Sequence, residues 1–210
     1  MIDSYLLPVQ KAVLQGPARL LARRGVTADQ MTLAGFALGV LAFLALGLGL
    51  FLTGLGLILL NRLADGLDGA IARQEGPTDR GAFLDIAADF LFYALVPLGF
   101  AIADPVQNAL PAAFLITSFV GTGSSFLAFS AIAARRNLTS ADYPAKGIYY
   151  LGGLTEGAET IGLFIAICLW PALFAPLASG FAILCLLTTA IRWRQAWLSF
   201  HTATPQETTE

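Results

Sequence analysis

From Met31 to Leu52 the chain carries no charged side chain, a stretch as long as the roughly 20 apolar residues with which a helix crosses a bilayer. The rest of the chain is hardly more polar, so a soluble fold has little with which to cover that segment. Charged residues make up 12% of the sequence and hydrophobic ones 57%, with a mean hydropathy of +0.72; an ordinary soluble domain carries about 25% charged residues. The pattern predicts an all-α integral membrane protein. Further apolar segments at Thr53–Arg73, Gly81–Ala103, Ala109–Ala134, Ile148–Trp170 and Leu177–Trp197 bring the expected transmembrane helices to six.

Residues 1–27 are too polar to span and basic on one side, which predicts an amphipathic helix on the membrane surface, interrupted near Gly16–Pro17. Residues 28–198 form the six-helix domain and 199–210 a polar tail. No cleavable leader is expected. With the N-terminus in the cytoplasm, Lys11, Arg19, Arg23, Arg24, Arg73, Arg80, Arg135, Arg136, Lys146, Arg192 and Arg194 all fall at cytoplasmic ends or loops. Arg62 alone lies within a span, so the positive-inside rule predicts both termini in the cytoplasm. A net charge of −2 argues against nucleic acid as a partner. Cys168 and Cys185 lie in apolar runs and read as small buried hydrophobes. The single histidine, His201, sits in the tail, so acid–base chemistry in the membrane domain falls to carboxylates.

The second and third spans carry Asp65, Asp68, Asp85 and Asp89 among leucines and alanines. An aspartate at the centre of a membrane helix costs roughly 2.5–3.5 kcal/mol on the insertion scale, so this density implies a function or a compensating cation. Asp65 and Asp68 are separated by about 60° around one helix, Asp85 and Asp89 by about 40° around the next. A hairpin turning between Arg73 and Gly81 sets the two pairs at matching depths, facing each other near the cytoplasmic end. Four hard oxygen ligands so placed suit two Mg²⁺ or Mn²⁺ ions sharing carboxylates, and such ions bind phosphates. Gly66, Gly69, Ala72 and Gly81 leave room for a ligand beside the backbone, and Arg73 suits a forked contact with a diphosphate.

The stretch "DGLDGAIARQEGPTDRGAFLDIAAD" resembles the signature of the CDP-alcohol phosphatidyltransferase family, Asp-x2-Asp-Gly-x2-Ala-Arg-x8-Gly-x3-Asp-x3-Asp. Asp65, Asp68, Gly69, Ala72, Arg73, Gly81, Asp85 and Asp89 match it, with seven residues in place of eight between Arg73 and Gly81. "GVTADQMTLAG" is a weaker echo of the family's Pro-Asn-x-x-Thr stretch: Thr32 matches, while Ala28 and Asp29 replace Pro and Asn. The resemblance implies transfer of a substituted phosphoryl group from a CDP-linked donor to an alcohol, with release of CMP. It makes Asp65, Asp68, Asp85 and Asp89 metal ligands, and Asp89 also the base for the acceptor hydroxyl. Gly69, Ala72, Arg73, Gly81 and Thr78 would hold the nucleotide. It further implies a homodimer in a bacterial-type inner membrane, a CDP-diacylglycerol donor and an active site open to the cytoplasm.

Other readings make different demands. The same signature serves a soluble CDP-alcohol donor with a diacylglycerol acceptor. Ion pairs with Arg62, Arg73 and Arg80 would nearly balance the four aspartates but leave the glycines unexplained. An ion-coupled transporter predicts inverted repeats and carboxylates at the midplane, and an intramembrane prenyltransferase needs more spans. For the acceptor, Arg135, Arg136 and Lys146 flank the fourth loop and are candidates to hold a phosphate. Glu156 is a candidate for an amine, or else a first-turn glutamate favoured by the helix dipole. "SSFLAFSAIAA" holds no basic residue before Arg135, which argues against inositol phosphate and leaves glycerol phosphate, serine, choline-like amines or a lipid hydroxyl open.

Overall fold

The computed structural model describes residues 3–136 and 153–200, with side chains from residue 13 onward. Among them are seven α-helices, a single 3₁₀ turn at Pro171–Leu173 and no strand. The helices are α1 (Asp3–Arg23), α2 (Ala28–Gly47), α3 (Phe51–Glu75), α4 (Asp79–Ala103), α5 (Pro105–Arg135), α6 (Gly157–Leu169) and α7 (Phe174–Phe200). Among the described residues, four stretches are long and apolar enough to cross a membrane: α2, α4, α5 and Pro171–Phe200. Helix α3 equals α4 in length, at 25 residues, but Arg62, Asp65, Asp68, Arg73 and Glu75 make it more polar. Helix α6 has 13 residues.

Short local signals set these boundaries. Thr27 caps α2: Gln30 N–H donates to its hydroxyl, and the Gln30 side chain accepts from Thr27 N–H. The first apolar run does not continue to Leu52. It breaks after Gly47, where Gly49 takes a φ of +75° that only glycine adopts without strain. Leucines on both sides of that turn hide it from a hydropathy reading. Asp104 caps α5 by accepting from Gln107 N–H, with Pro105 in the first turn.

Helix α1 runs unbroken through Gly16–Pro17, contrary to the expected interruption. Its Leu14 and Ala18 are buried against Leu67, Ala70 and Ile71 of α3, and this packing holds the helix together across the proline. The main core gathers side chains from α2 to α7, including Leu46, Phe92, Phe100, Phe164 and Phe174. Phe100 stacks between Phe51 and Phe174 at centroid distances of 5.1 and 4.7 Å. The Thr188 hydroxyl of α7 accepts from the backbone N–H groups of Leu154 and Thr155 and bonds to the Thr155 hydroxyl, which fixes the start of α6. Large apolar side chains point outward, among them Val106 and Leu110, 96% and 81% exposed. That inverted surface suits lipid.

Helices α2, α3 and α4 approach closely because glycines face their neighbours. A Cβ on Gly39 would lie 2.8 Å from the Phe92 ring and 3.3 Å from the Asn61 amide nitrogen. At Gly56, a lipid-facing position of α3, it would meet nothing within 4 Å. Gly39→Val should therefore destabilise the protein by about 1–3 kcal/mol through overpacking, while Gly56→Val leaves stability near that of wild type. Thermal unfolding of the two variants in one detergent checks this.

Candidate active site

The turn of the α3–α4 hairpin is shaped by Gly76, Pro77 and Thr78. Gly76 has a φ of +98°, and Thr78 caps α4 by accepting from Gly81 N–H at 3.1 Å. The seven-residue gap between Arg73 and Gly81 spans this turn, so it displaces no residue along either helix. Asp65 and Asp68 descend on α3, and Asp85 and Asp89 on α4.

Three of these aspartates converge. Asp65, Asp68 and Asp85 each offer a carboxylate oxygen, and the three oxygens lie within 4.8 Å of one another. Hard oxygen donors at that spacing fit a hard divalent cation such as Mg²⁺ or Mn²⁺. Asp68 is buried and accepts a hydrogen bond of 2.8 Å from the Thr32 hydroxyl of α2, which fixes the orientation of its carboxylate. Asp89 stands apart from the trio. Its Oδ1 lies 2.7 Å from Arg62 Nη1, and the same nitrogen is 3.7 Å from Asp65. Arg62 Nε donates to Asn61 Oδ1 at 2.7 Å, and its guanidinium sits 4.3 Å from the centre of the Phe92 ring.

The alternative of pairwise neutralisation by Arg62, Arg73 and Arg80 gains little support from this geometry. Arg62 does reach Asp89 and Asp65, but Arg80 pairs with Asp29 at the start of α2, and Arg73 lines an open cavity.

That cavity, about 410 Å³, opens below the trio. Gly69, Ala72, Arg73, Thr78 and Gly81 all line it, and Asp68 and Asp85 form its wall on the carboxylate side. Thr27, Ala28, Asp29 and Thr32 supply the α2 side, where the sequence departs from Pro-Asn. A Cβ on Gly81 would lie 3.0 Å from Asp29 Oδ1 and 3.1 Å from Thr78 Oγ1, so the missing side chain makes room for these two neighbours as well as for the cavity.

Asp89 opens on a second cavity, about 350 Å³, between α4, α5, α6 and α7. Glu156, Thr155, Thr160 and Arg192 line it beside apolar groups such as Tyr93 and Phe119. Glu156 is also the N-cap of α6, in a reciprocal capping box with Glu159. Of the other acceptor candidates, Arg135 is exposed at the last turn of α5. Arg136 donates to the Phe200 carbonyl at 3.2 Å and lies over the Phe200 ring, which ties it to the end of α7. Lys146 lies outside the described residues. Sequence reasoning missed Asn61, the anchoring of Arg62, the contact of Thr32 with Asp68, and Arg192 as a cavity residue. A lone arginine inside an apolar span was the available signal for the Arg62 contacts.

Comparison with known proteins gives this geometry a family. Residues 25–200 match the model of the CDP-alcohol phosphatidyltransferases. The chain belongs to the CDP-alcohol phosphatidyltransferase family. It is 53% identical over 199 residues to the inner membrane protein YnjF of Escherichia coli K12, covering 95% of this chain and 97% of that one. It is 28% identical to the archaetidylinositol phosphate synthase of Pyrococcus horikoshii over 165 residues, 78% of this chain and 80% of the relative. Its fold is that of the Mycobacterium tuberculosis phosphatidylinositol phosphate synthase PgsA1, solved with CDP-DAG bound (TM-score 0.64, 23% identity, 95% of this chain and 98% of that one). The same enzyme in complex with manganese and citrate gives a TM-score of 0.65 at 23% identity, covering 94% and 92%. The protein is thus an integral membrane CDP-alcohol phosphatidyltransferase, an enzyme of phospholipid biosynthesis.

Groups that orient metal ligands typically govern affinity by 10–100-fold. Thr32→Val should therefore weaken Mn²⁺ binding by roughly tenfold while leaving the thermal midpoint of the metal-free protein nearly unchanged; calorimetric titration with Mn²⁺ measures the first and thermal unfolding the second.

Proposed function

We propose that the chain transfers a phosphatidyl group from CDP-diacylglycerol to an alcohol and releases CMP. One observation carries this reading: of three convergent carboxylates, Asp68 and Asp85 form the wall of a cavity that is otherwise lined by small residues and Arg73. A diphosphate at that wall would have its nucleotide beside Gly69, Ala72, Thr78 and Gly81, with Arg73 on its phosphates. Bound divalent ions, two in the loaded site, would neutralise the diphosphate and polarise the attacked phosphorus. Asp65, Asp68 and Asp85 would hold them, with Asp89 joining when the site is loaded.

Asp89 lines the second cavity, one helical turn beyond Asp85, which lines the first. It would take the proton of the acceptor hydroxyl as that oxygen bonds to phosphorus and the bond to CMP breaks. The second cavity is then the place for the acceptor, and Glu156 and Arg192 are its charged walls. One carboxylate and one guanidinium suit a small acceptor bearing both an amine and an acid, or a phosphate, better than a purely apolar alcohol. PgsA1, of the same fold, has been solved with CDP-DAG bound, which supports the lipid-linked donor over a soluble CDP-alcohol.

The membrane arrangement belongs to the same proposal. Six helices, α2 to α7, would form the membrane domain, in an inner membrane as the name of the E. coli relative supports, with α1 on the surface, both termini in the cytoplasm and the first cavity opening there. The family resemblance makes the working unit a homodimer.

Labelled CDP-diacylglycerol, purified protein and a panel of alcohols test the reaction directly: CMP should form with one acceptor class and require Mg²⁺ or Mn²⁺. CMP formed only from a soluble CDP-alcohol and diacylglycerol would reverse the donor. Asp89→Asn should reduce turnover by at least a hundredfold yet retain donor binding; undiminished turnover would remove its role as base. Glu156→Gln should change the order of preference among acceptors, measured as kcat/KM across the panel, with little effect on donor KM.

A further inference from the structure

Arg62 is an uncommon residue for its position. It is the single basic residue of twelve that falls within a span on the sequence reading, and its side chain is 17% exposed. Three contacts besides the aspartates hold it. Its Nε donates to Asn61 Oδ1 at 2.7 Å. The Asn61 amide nitrogen donates in turn to the Gly35 carbonyl of α2 at 2.7 Å, which keeps the amide oxygen turned towards Arg62. The guanidinium lies over the rings of Phe92 and Tyr93, at 4.3 and 5.4 Å. So anchored, its Nη1 stands between Asp89 at 2.7 Å and Asp65 at 3.7 Å.

We propose that Arg62 is a built-in cation at the second metal position, so that the resting site takes one divalent ion and a second binds Asp89 only by displacing the guanidinium. The inference rests on the metal-dependent reading above and deepens it. Two carboxylates on facing helices, both only partly exposed, are stabilised by positive charge between them. Arg62 supplies it at Asp65 and Asp89, leaving the trio of Asp65, Asp68 and Asp85 as the place for the first ion. A second ion near Asp89 must overcome the repulsion of a guanidinium that does not deprotonate. Arrival of a diphosphate changes that balance, because its added negative charge accommodates both cations. Arg62 is therefore a positioning residue, acting through Asp89 and the second ion.

Counting ions without substrate tests this. Purified protein in detergent, free of nucleotide, is titrated with Mn²⁺ while electron paramagnetic resonance follows the unbound ion. Wild type should bind one equivalent per chain tightly. Arg62→Met should bind two, with affinity for the second raised at least tenfold, and Arg62→Lys should titrate like wild type. Two tight equivalents in wild type, or identical titrations for wild type and Arg62→Met, would overturn the proposal. If Arg62→Met does not fold, wild type decides alone: one tight equivalent supports the inference and two overturn it. Two equivalents with intact CMP release refute only the role of Arg62. No bound Mn²⁺ and no metal dependence of CMP release refute the metal-dependent reading as well.

Discussion

A carboxylate pressed into an apolar helix pair is tolerated only beside positive charge, and the active site follows from that constraint. Asp65, Asp68 and Asp85 converge near one end of two antiparallel helices, with Asp89 one turn away, and Asp68 is buried among them. Repulsion between the acids would splay the helices unless cations held them. Close packing keeps them together from the side: Gly39 brings α2 against Phe92 of α4 and Asn61 of α3. The same packing sets Thr32 and Asn61 where each serves a charged group, Asp68 in one case and Arg62 in the other. The glycines that allow the helices to approach are thus also what positions the site.

Much of this could be read from residue order. Uncharged length gave the membrane class, and the 3–4 spacing of the aspartates on two neighbouring spans gave the convergence of three of the four. Local breaks were harder. Leu48-Gly49-Leu50 turns the chain with no polar residue, so hydropathy ran the first span past its end. Gly16–Pro17 looked like a helix break because proline lacks an N–H; Leu14 and Ala18, packed on α3, override that local preference. Tertiary burial, invisible in a short window, decided both the continuity and the neighbour of α1.

The site shows the same division. Spacing put four aspartates together but could not separate Asp89 from the other three, because the distinction comes from Arg62 on the facing helix. Helical geometry does place Arg62 within reach of Asp65, three residues on. It does not indicate that the guanidinium turns towards Asp89 instead, an outcome set by the Asn61 amide and the rings of Phe92 and Tyr93. Likewise, Arg192 read as an orientation-setting charge until α7 packed it behind Asp89, where it donates to the Thr122 carbonyl.

The placement of the two cavities also supports Asp89 of α4, rather than a residue of a loop, as the proposed base. The proposed donor side is built by α2, α3, the α3–α4 turn and the start of α4, and the proposed acceptor side by α4, α5, α6 and α7. Only α4 contributes to both. A group that must face the acceptor oxygen while touching the metal-bound diphosphate therefore belongs on that helix, one turn beyond Asp85. Variation in α5, α6 and α7 can then change the acceptor without disturbing the carboxylates, since those helices line the second cavity and not the first.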